Sequence, residues 1–217
     1  MDQKIHEYES DDIKVTYDSK RCIHSAECVK NLPSVFDPNN DPWIVTDNAS
    51  VEEIKEAVHH CPTGALQYSD TENPENPSRT NTITVGPDGP LYVRGDIEIQ
   101  NADGETLLED TRVALCRCGE SENKPLCDDT HKDIDFKAPA GFDESKLRPT
   151  TNGDADHDKL IIRLMENGPM LIEGEYEVLS IANQRVNSQK NVAMCRCGQS
   201  GSKPFCDGTH KEVGFEG

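Results

Sequence analysis

CRCGQSGSKPFCDGTH, residues 195–210, places three cysteines and a histidine within sixteen positions. CRCGESENKPLCDDTH, residues 116–131, repeats it. A shift of 79 residues maps Cys116, Cys118, Cys127 and His131 onto Cys195, Cys197, Cys206 and His210. The same ungapped shift carries Gly89-Pro90 onto Gly168-Pro169, Gly95 onto Gly174 and Phe136 onto Phe215. Apolar positions follow: Ile83 and Val85 match Ile162 and Leu164, while Leu91, Val93, Ile97 and Ile99 match Met170, Ile172, Tyr176 and Val178. A single register held this far is a duplication.

Each copy reads as β-structure. TITVGPDGPLYVRGDIEIQ alternates around a PDG turn, and Gly95 marks a bend or bulge before the next strand. LIIRLMENGPMLIEGEYEVL repeats this with an NG turn, a hairpin signal. RVALCRC and NVAMCRC read as strands that deliver the first two cysteines. DGTHKEVGF reads as a short helix start in which Asp207 caps the turn and His210 faces back toward Cys206.

The ligand types then set the chemistry. Two thiolates at C-x-C share a metal only if the backbone bends sharply, which Gly119 and Gly198 permit. Structural zinc sites favour C-x2-4-C knuckles, so C-x-C with a distant third cysteine is unusual for zinc. A two-iron cluster needs two ligands on each iron, which the C-x-C pair and the C-x3-H pair supply. The nine cysteines fall into three groups of three, the first being Cys22, Cys28 and Cys61.

Composition narrows the class. Hydrophobic residues are 34% of the 217-residue chain and aromatics 5%, too few for one large apolar core, so small metal-supported domains are expected. With 22 Lys plus Arg against 41 Asp plus Glu, the formal charge is -19. Such a surface repels phosphate backbones and anionic lipid, so no nucleic acid and no membrane is expected as a partner. MDQKIHEYESDDIKV lacks the apolar core of a secretory signal, and no run approaches a membrane span. These features imply a cytoplasmic protein, where thiols stay reduced and serve metal or redox chemistry rather than disulfides.

CRCGQSGSKPFCDGTH resembles the signature of the CDGSH iron–sulfur family, the mitoNEET-like proteins: C-x-C-x2-(S/T)-x3-P-x-C-D-G-(S/A/T)-H. Cys195, Cys197, Ser200, Pro204, Cys206, Asp207, Gly208, Thr209 and His210 meet every fixed position. Cys116, Cys118, Ser121, Pro125, Cys127, Asp128, Thr130 and His131 match in the first copy, but Asp129 stands where the family has Gly. If that position needs a positive φ, Asp tolerates it better than most residues. The resemblance implies a [2Fe-2S] cluster in each copy, ligated by three Cys and one His, in β-rich units that pair about a two-fold axis. A tandem chain would supply both halves itself, giving a monomer with an internal pseudo-dimer. Lys124 and Lys203 read as turn lysines or as charges near the imidazole. Arg117 and Arg196 are expected to point away from the iron and form structural ion pairs.

The N-terminal segment differs. SVEEIKEAVHHC carries Val51, Ile54, Ala57 and Val58 on one helical face with Ser50 as N-cap, and CVKNLPSVF predicts a second short helix cut by Pro33. KVTYD and ALQYS read as flanking strands, so this unit is α+β. RCIHSAEC followed by HCPTGAL resembles a divergent single-cluster ferredoxin domain over about residues 14–68, with Trp43-Ile44 as its WI pair. Ser25 occupies the place of a second cysteine. Three thiolates suit a [3Fe-4S] cluster; a [4Fe-4S] cluster needs Ser25, His24, His60 or water on the fourth iron; a third reading leaves the cysteines reduced and packed, binding nothing. His24 and His60 read as bystanders, His59 as solvent-facing, and His6 and His157 as lying in disordered, acidic surroundings.

The expected architecture is a ferredoxin-like α+β domain at 1–70, then CDGSH repeats at 80–137 and 158–217, with linkers at 69–79 and 138–157. One β-layer of each copy could pair with the other. The expected role is electron transfer with a redox protein partner. The alternatives are a cluster donor or store serving an apo iron–sulfur acceptor, and a zinc-stabilised interaction module. No nucleophile–base pair, phosphate loop or dinucleotide fingerprint points to an enzyme.

Overall fold

The computed structural model describes residues 5–70, 74–147, 159–188 and 191–217. The chain forms two compact units, Met1–Asn76 and Pro77–Gly217. In the first, β1 (Ile5–Glu9), β2 (Ile13–Asp18) and β3 (Leu66–Asp70) make an antiparallel sheet in that order. Helix α1 (Glu27–Asn31) and helix α2 (Val51–His59) lie between β2 and β3 in the chain. Ser50 accepts from the Glu53 amide, and the Glu53 carboxylate in turn accepts from the Ser50 amide. That reciprocal cap starts α2 where the apolar face begins. Ile54, Ala57 and Val58 bury that face against Val15, Phe36 and Ile44. His6, expected in disordered surroundings, sits in β1 opposite Tyr17, because alternation in IHEYE gives the sheet a third strand. His157 lies outside the described residues.

The second unit holds both copies of the repeat. Strands β4 (Thr82–Val85), β5 (Leu91–Gln100) and β6 (Thr106–Leu115) come from the first copy. From the second come β7 (Leu160–Leu164), β8 (Met170–Glu173), β9 (Tyr176–Ser180), β10 (Arg185–Ser188) and β11 (Val192–Met194). All eight join one sheet. The first strand of each copy runs parallel to a strand of the other: Ile83 faces Val178, and its equivalent Ile162 faces Ile99. Thr82 likewise faces Glu177, while Ile161 faces Glu98. Applying the 79-residue shift to one pairing yields the other, so the two copies form an intramolecular pseudo-two-fold pair.

The matched apolar positions explain the exchange. Ile83, Val85, Leu91, Val93, Ile97, Ile99, Ile162, Leu164, Met170, Ile172, Tyr176 and Val178 all belong to one buried core. Neither copy covers its own layer, and each first strand closes the other's sheet. Gly95 sits at φ 140° where the β5–β6 register shifts, and an added Cβ would lie 2.0 Å from Asn81 Oδ1. The bulge is thus fixed by Asn81 as much as by the glycine. The stretch expected as the second linker, 138–157, is described as far as residue 147, and that part is packed. Ala138, Phe142 and Leu147 are buried, and Gln184 holds the Phe142 backbone from both sides. Its Pro, Gly and Asp content reads as linker, but its few apolar residues enter the core.

Candidate iron–sulfur sites

Each ligand loop is closed by its own backbone. In the first copy the Cys116 amide donates to the Pro125 carbonyl and the Cys127 amide to the Ala114 carbonyl, both at 2.8 Å. In the second, Cys195 donates to Pro204 and Cys206 to Ala193, again at 2.8 Å. These bonds lay the third cysteine beside the first. The motif serines close the loop from inside. Ser121 Oγ donates to the Leu126 carbonyl (2.6 Å) and accepts from the Asn123 amide (3.0 Å). Ser200 Oγ does the same with Phe205 and Ser202, at 2.7 and 3.0 Å. The Lys124–Pro125 and Lys203–Pro204 bonds are both cis.

The third cysteine leads into a turn braced by the motif aspartate. Asp207 Oδ1 accepts from the Thr209 amide (3.1 Å) and its Oδ2 from the Gly201 amide (2.7 Å). Asp128 makes the equivalent bonds to Thr130 (3.1 Å) and Glu122 (2.8 Å). The histidine follows in a short helix, α3 (Thr130–Asp133), or in a single 3-10 turn at Thr209–Lys211. In both copies the ring turns back as the sequence predicts: Cys127 Sγ lies 3.4 Å from His131 Nδ1, and Cys206 Sγ 3.4 Å from His210 Nδ1. Lys203 Nζ donates to the Ser200 carbonyl at 2.7 Å, which is the work of a turn lysine.

The other two ligands form a second pair. Cys116 and Cys118 sulfurs are 3.6 Å apart, and those of Cys195 and Cys197 are 3.7 Å apart. Two thiolates on one tetrahedral metal with bonds of about 2.3 Å sit about 3.7 Å apart, so each C-x-C pair is spaced for a single metal. The Cys–His pairs are spaced for another. No three of the four predicted ligands of either copy fall within 4.8 Å of one another among the described residues; the set that does is Cys127, Asp129 and His131. Each donor set is therefore split into two pairs.

Backbone amides complete the sulfur environment. N–H groups of Ser121, Gly119 and Cys118 face the Cys116 sulfur, and those of Ser200 and Gly198 face Cys195. Within the Cys116–Cys118 pair, the hydrogen bond between the two sulfurs holds the Cys116 thiol below the usual thiol range and pushes Cys118 well up. Burial pushes the Cys127 thiol up to about 12.

The two ligand loops meet across the pseudo-two-fold axis. A Cβ on Gly198 would lie 2.1 Å from the Cys118 carbonyl oxygen, and one on Gly119 would lie 2.7 Å from that of Cys197. Both glycines have positive φ, 74° and 89°. They serve the bend expected from the sequence and also a backbone-to-backbone contact that it did not announce. Arg117 and Arg196, expected in ion pairs, instead clamp carbonyls. Arg117 donates to Gly89 and Gly86 (both 2.8 Å), and Arg196 to Gly168 (2.9 Å), Met165 (2.8 Å) and Gly217 (2.6 Å). The guanidinium groups lie over Phe136 and Phe215, at 5.9 and 5.4 Å. Burial pulls Arg117 down to about 10, and the Cys195 sulfur of the other copy opposes that shift.

In the N-terminal unit, Cys22, Cys28 and Cys61 line one cavity together with Ser25, Thr63 and Trp43. His24 and His60 are not in its lining; His60 lies 3.5 Å from Glu56. His59, expected to face solvent, is half-exposed and touches Tyr68 Oη at 3.3 Å. The loop between Cys22 and Cys28 takes positive φ at His24 (52°) and Ala26 (60°), wrapping it around the cavity. Burial pushes the Cys28 thiol up to about 11. Thr63 was not singled out from the sequence; its Oγ1 lies 3.6 Å from Cys61 Sγ and accepts from the Ala65 amide at 3.2 Å.

A family described as iron-binding zinc finger, CDGSH type, matches residues 88–132 and 167–211, the two stretches that carry these split donor sets. The chain carries two CDGSH iron-binding units. Residues 8–71 match a second family, the divergent 4Fe-4S mono-cluster domain. This CDGSH protein is also similar to the uncharacterized protein YjdI of Escherichia coli K12 and that of strain O157:H7. Each is 33% identical over 61 residues, which span 28% of this chain and 80% of theirs. No solved structure matches the chain. The residues and both families agree on iron–sulfur binding, and thiolates with imidazole are the donors such binding requires. Among the described residues no helix is long and apolar enough to cross a membrane.

Proposed function

We propose that this CDGSH protein is an electron carrier rather than an enzyme with a substrate of its own, holding one [2Fe-2S] cluster in each Cys3His set. The split donor set carries this reading. One metal bound by all four ligands would bring every donor within about 3.8 Å of the others, whereas each copy offers two separate pairs. Cys116 and Cys118 would hold one iron and Cys127 with His131 the other; Cys195, Cys197, Cys206 and His210 repeat this. A bound cluster of this kind accepts and returns one electron.

The chain's residues prepare the site for that exchange. Amides of Ser121 and Gly119, and of Ser200 and Gly198, point at ligand sulfurs and favour the added charge. Arg117 and Arg196 supply buried cations beside the ligands of the opposite copy. The Cys118–Gly119 and Cys197–Gly198 backbones touch, which offers a short covalent and contact route between the two sites. At the N-terminal site the matched family, a 4Fe-4S mono-cluster domain, favours a [4Fe-4S] cluster over [3Fe-4S], and Ser25 lines the cavity where its hydroxyl can serve the fourth iron. Oxidised protein silent by EPR supports the four-iron form there; a paramagnetic signal supports [3Fe-4S].

Iron, sulfide and zinc counts with a visible spectrum test the main reading. Red-brown protein with acid-labile sulfide equal to iron is expected. Colourless protein with stoichiometric zinc would end it. A second reading, donation of a cluster to an apo acceptor, is favoured by the half-exposed Cys206 and His210. Cluster appearance in an apo-ferredoxin mixed with the purified chain would select it over electron transfer.

A further inference from the structure

Residue 129 is where the copies part. Asp129 and Gly208 hold the same left-handed backbone, φ 78° and ψ −4° against φ 96° and ψ −7°. A Cβ on Gly208 would meet nothing within 4 Å, so packing does not reserve the position for glycine. In the first copy the carboxylate reaches the ligand. Asp129 Oδ2 is held by Lys132, while Oδ1 is buried with no hydrogen-bond partner and lies 3.7 Å from His131 Nε2. The other nitrogen of that ring, Nδ1, faces Cys127.

A neutral imidazole that gives Nδ1 to a metal carries its proton on Nε2. The unpartnered Asp129 oxygen lies 3.7 Å from that nitrogen, within a small ring rotation of the arrangement by which a carboxylate orients a metal-bound histidine and makes it a stronger donor. The surroundings differ in the same sense. His131 is buried and His210 half-exposed. Tyr92 sits close enough to Cys127 and Asp129 to feel both, where the second copy has Leu171. Gly89 comes within 3.7 Å of His131 Nε2, counted from an added Cβ, whereas the equivalent Gly168 faces Met165 and Glu166.

We propose that Asp129 is a positioning residue that makes the two CDGSH sites unequal: its carboxylate holds His131, lowers the potential of the first site and slows its loss of iron. The second site, with Gly208 and a half-exposed His210, is the higher-potential site, where an electron comes to rest and from which a partner takes it. This rests on the cluster reading above. A negative charge beside the imidazole disfavours an added electron, and a fixed imidazole dissociates less readily.

The test is a potentiometric titration of the full chain followed by EPR, in wild type, Asp129→Asn and Gly208→Asp, after iron and sulfide are counted. A chain without sulfide overturns the cluster reading before any potential is read. With clusters present, two distinct steps are expected from the CDGSH sites. Asp129→Asn should raise the lower step alone and speed iron loss to a chelator from that site about tenfold. Gly208→Asp should lower the upper step alone, on a chain in which Asp129 is intact. The proposal is overturned if Asp129→Asn moves neither step or both equally. It is also overturned if that variant empties the first site outright, which would make Asp129 a ligand.

Discussion

At residue 129 the first copy carries a carboxylate, and at residue 208 the second carries only hydrogen. Around that difference the copies agree closely: Cys–His spacing of 3.4 Å in both, paired sulfurs at 3.6 and 3.7 Å, serine braces at 2.6 and 2.7 Å. The candidate ligand pairs and the braces that close the loop are duplicated to within a tenth of an ångström. What lies beyond the imidazole is not. The geometry of each candidate ligand set is fixed by local hydrogen bonds, while beyond the imidazole the copies differ at one left-handed residue, filled by Asp in the first and Gly in the second.

The strongest way to break the comparison is at the axis where the copies touch. Gly198→Ala puts a methyl group 2.1 Å from a backbone oxygen at a positive φ, so the loops must separate. Denaturant unfolding of the second unit should show a loss above about 3 kcal/mol, with both sites disturbed by one substitution. Gly119→Ala, at 2.7 Å, should cost less but act on both sites as well. A change confined to the mutated copy would sink the shared-axis account. Next in size is Arg117→Ala, which leaves the buried Gly86 and Gly89 carbonyls without their donor, for about 2–4 kcal/mol. Arg196→Ala should cost less, because one of its carbonyls belongs to the exposed Gly217. Equal losses would contradict the clamp assignment. The smallest effect sharpens the likeness instead. Ser121→Ala and Ser200→Ala should each cost about 1 kcal/mol, with thermal midpoints that match, since both make the same two bonds.

Much of the second unit was legible in the sequence because a duplication writes its own alignment. The apolar register at Ile83, Val93 and Ile99 and at Ile162, Ile172 and Val178 is the core, and the eight candidate ligands fall out of the repeat. The helix α2 cap at Ser50 was readable for the same local reason. Effects that depend on distant contacts were not. Gly119 and Gly198 read as bend residues, and nothing local reports that each backbone rests against the other copy. Arg117 reads as a charge seeking a carboxylate, yet a strand between two ligands aims it at turn carbonyls 28 and 31 residues earlier in the chain. Asp129 reads as a tolerated departure at a left-handed residue, which its φ of 78° bears out. That the carboxylate faces His131 depends on a χ angle and on Lys132, neither of which spacing encodes. Phe142 and Leu147 sat in a stretch whose composition signals linker, and two apolar residues among many polar ones give no periodicity to read.

The measurement closest to the central claim is Mössbauer spectroscopy of iron-57-enriched, oxidised full-length protein, compared with the His131→Cys/His210→Cys double variant. A split donor set predicts two iron environments in equal amounts at the CDGSH sites, one with two thiolates and one with thiolate and imidazole. In the double variant these should merge into one. A single iron environment in the wild type, or a spectrum that the double substitution leaves unchanged, would contradict the assignment of the Cys–His pair to its own iron.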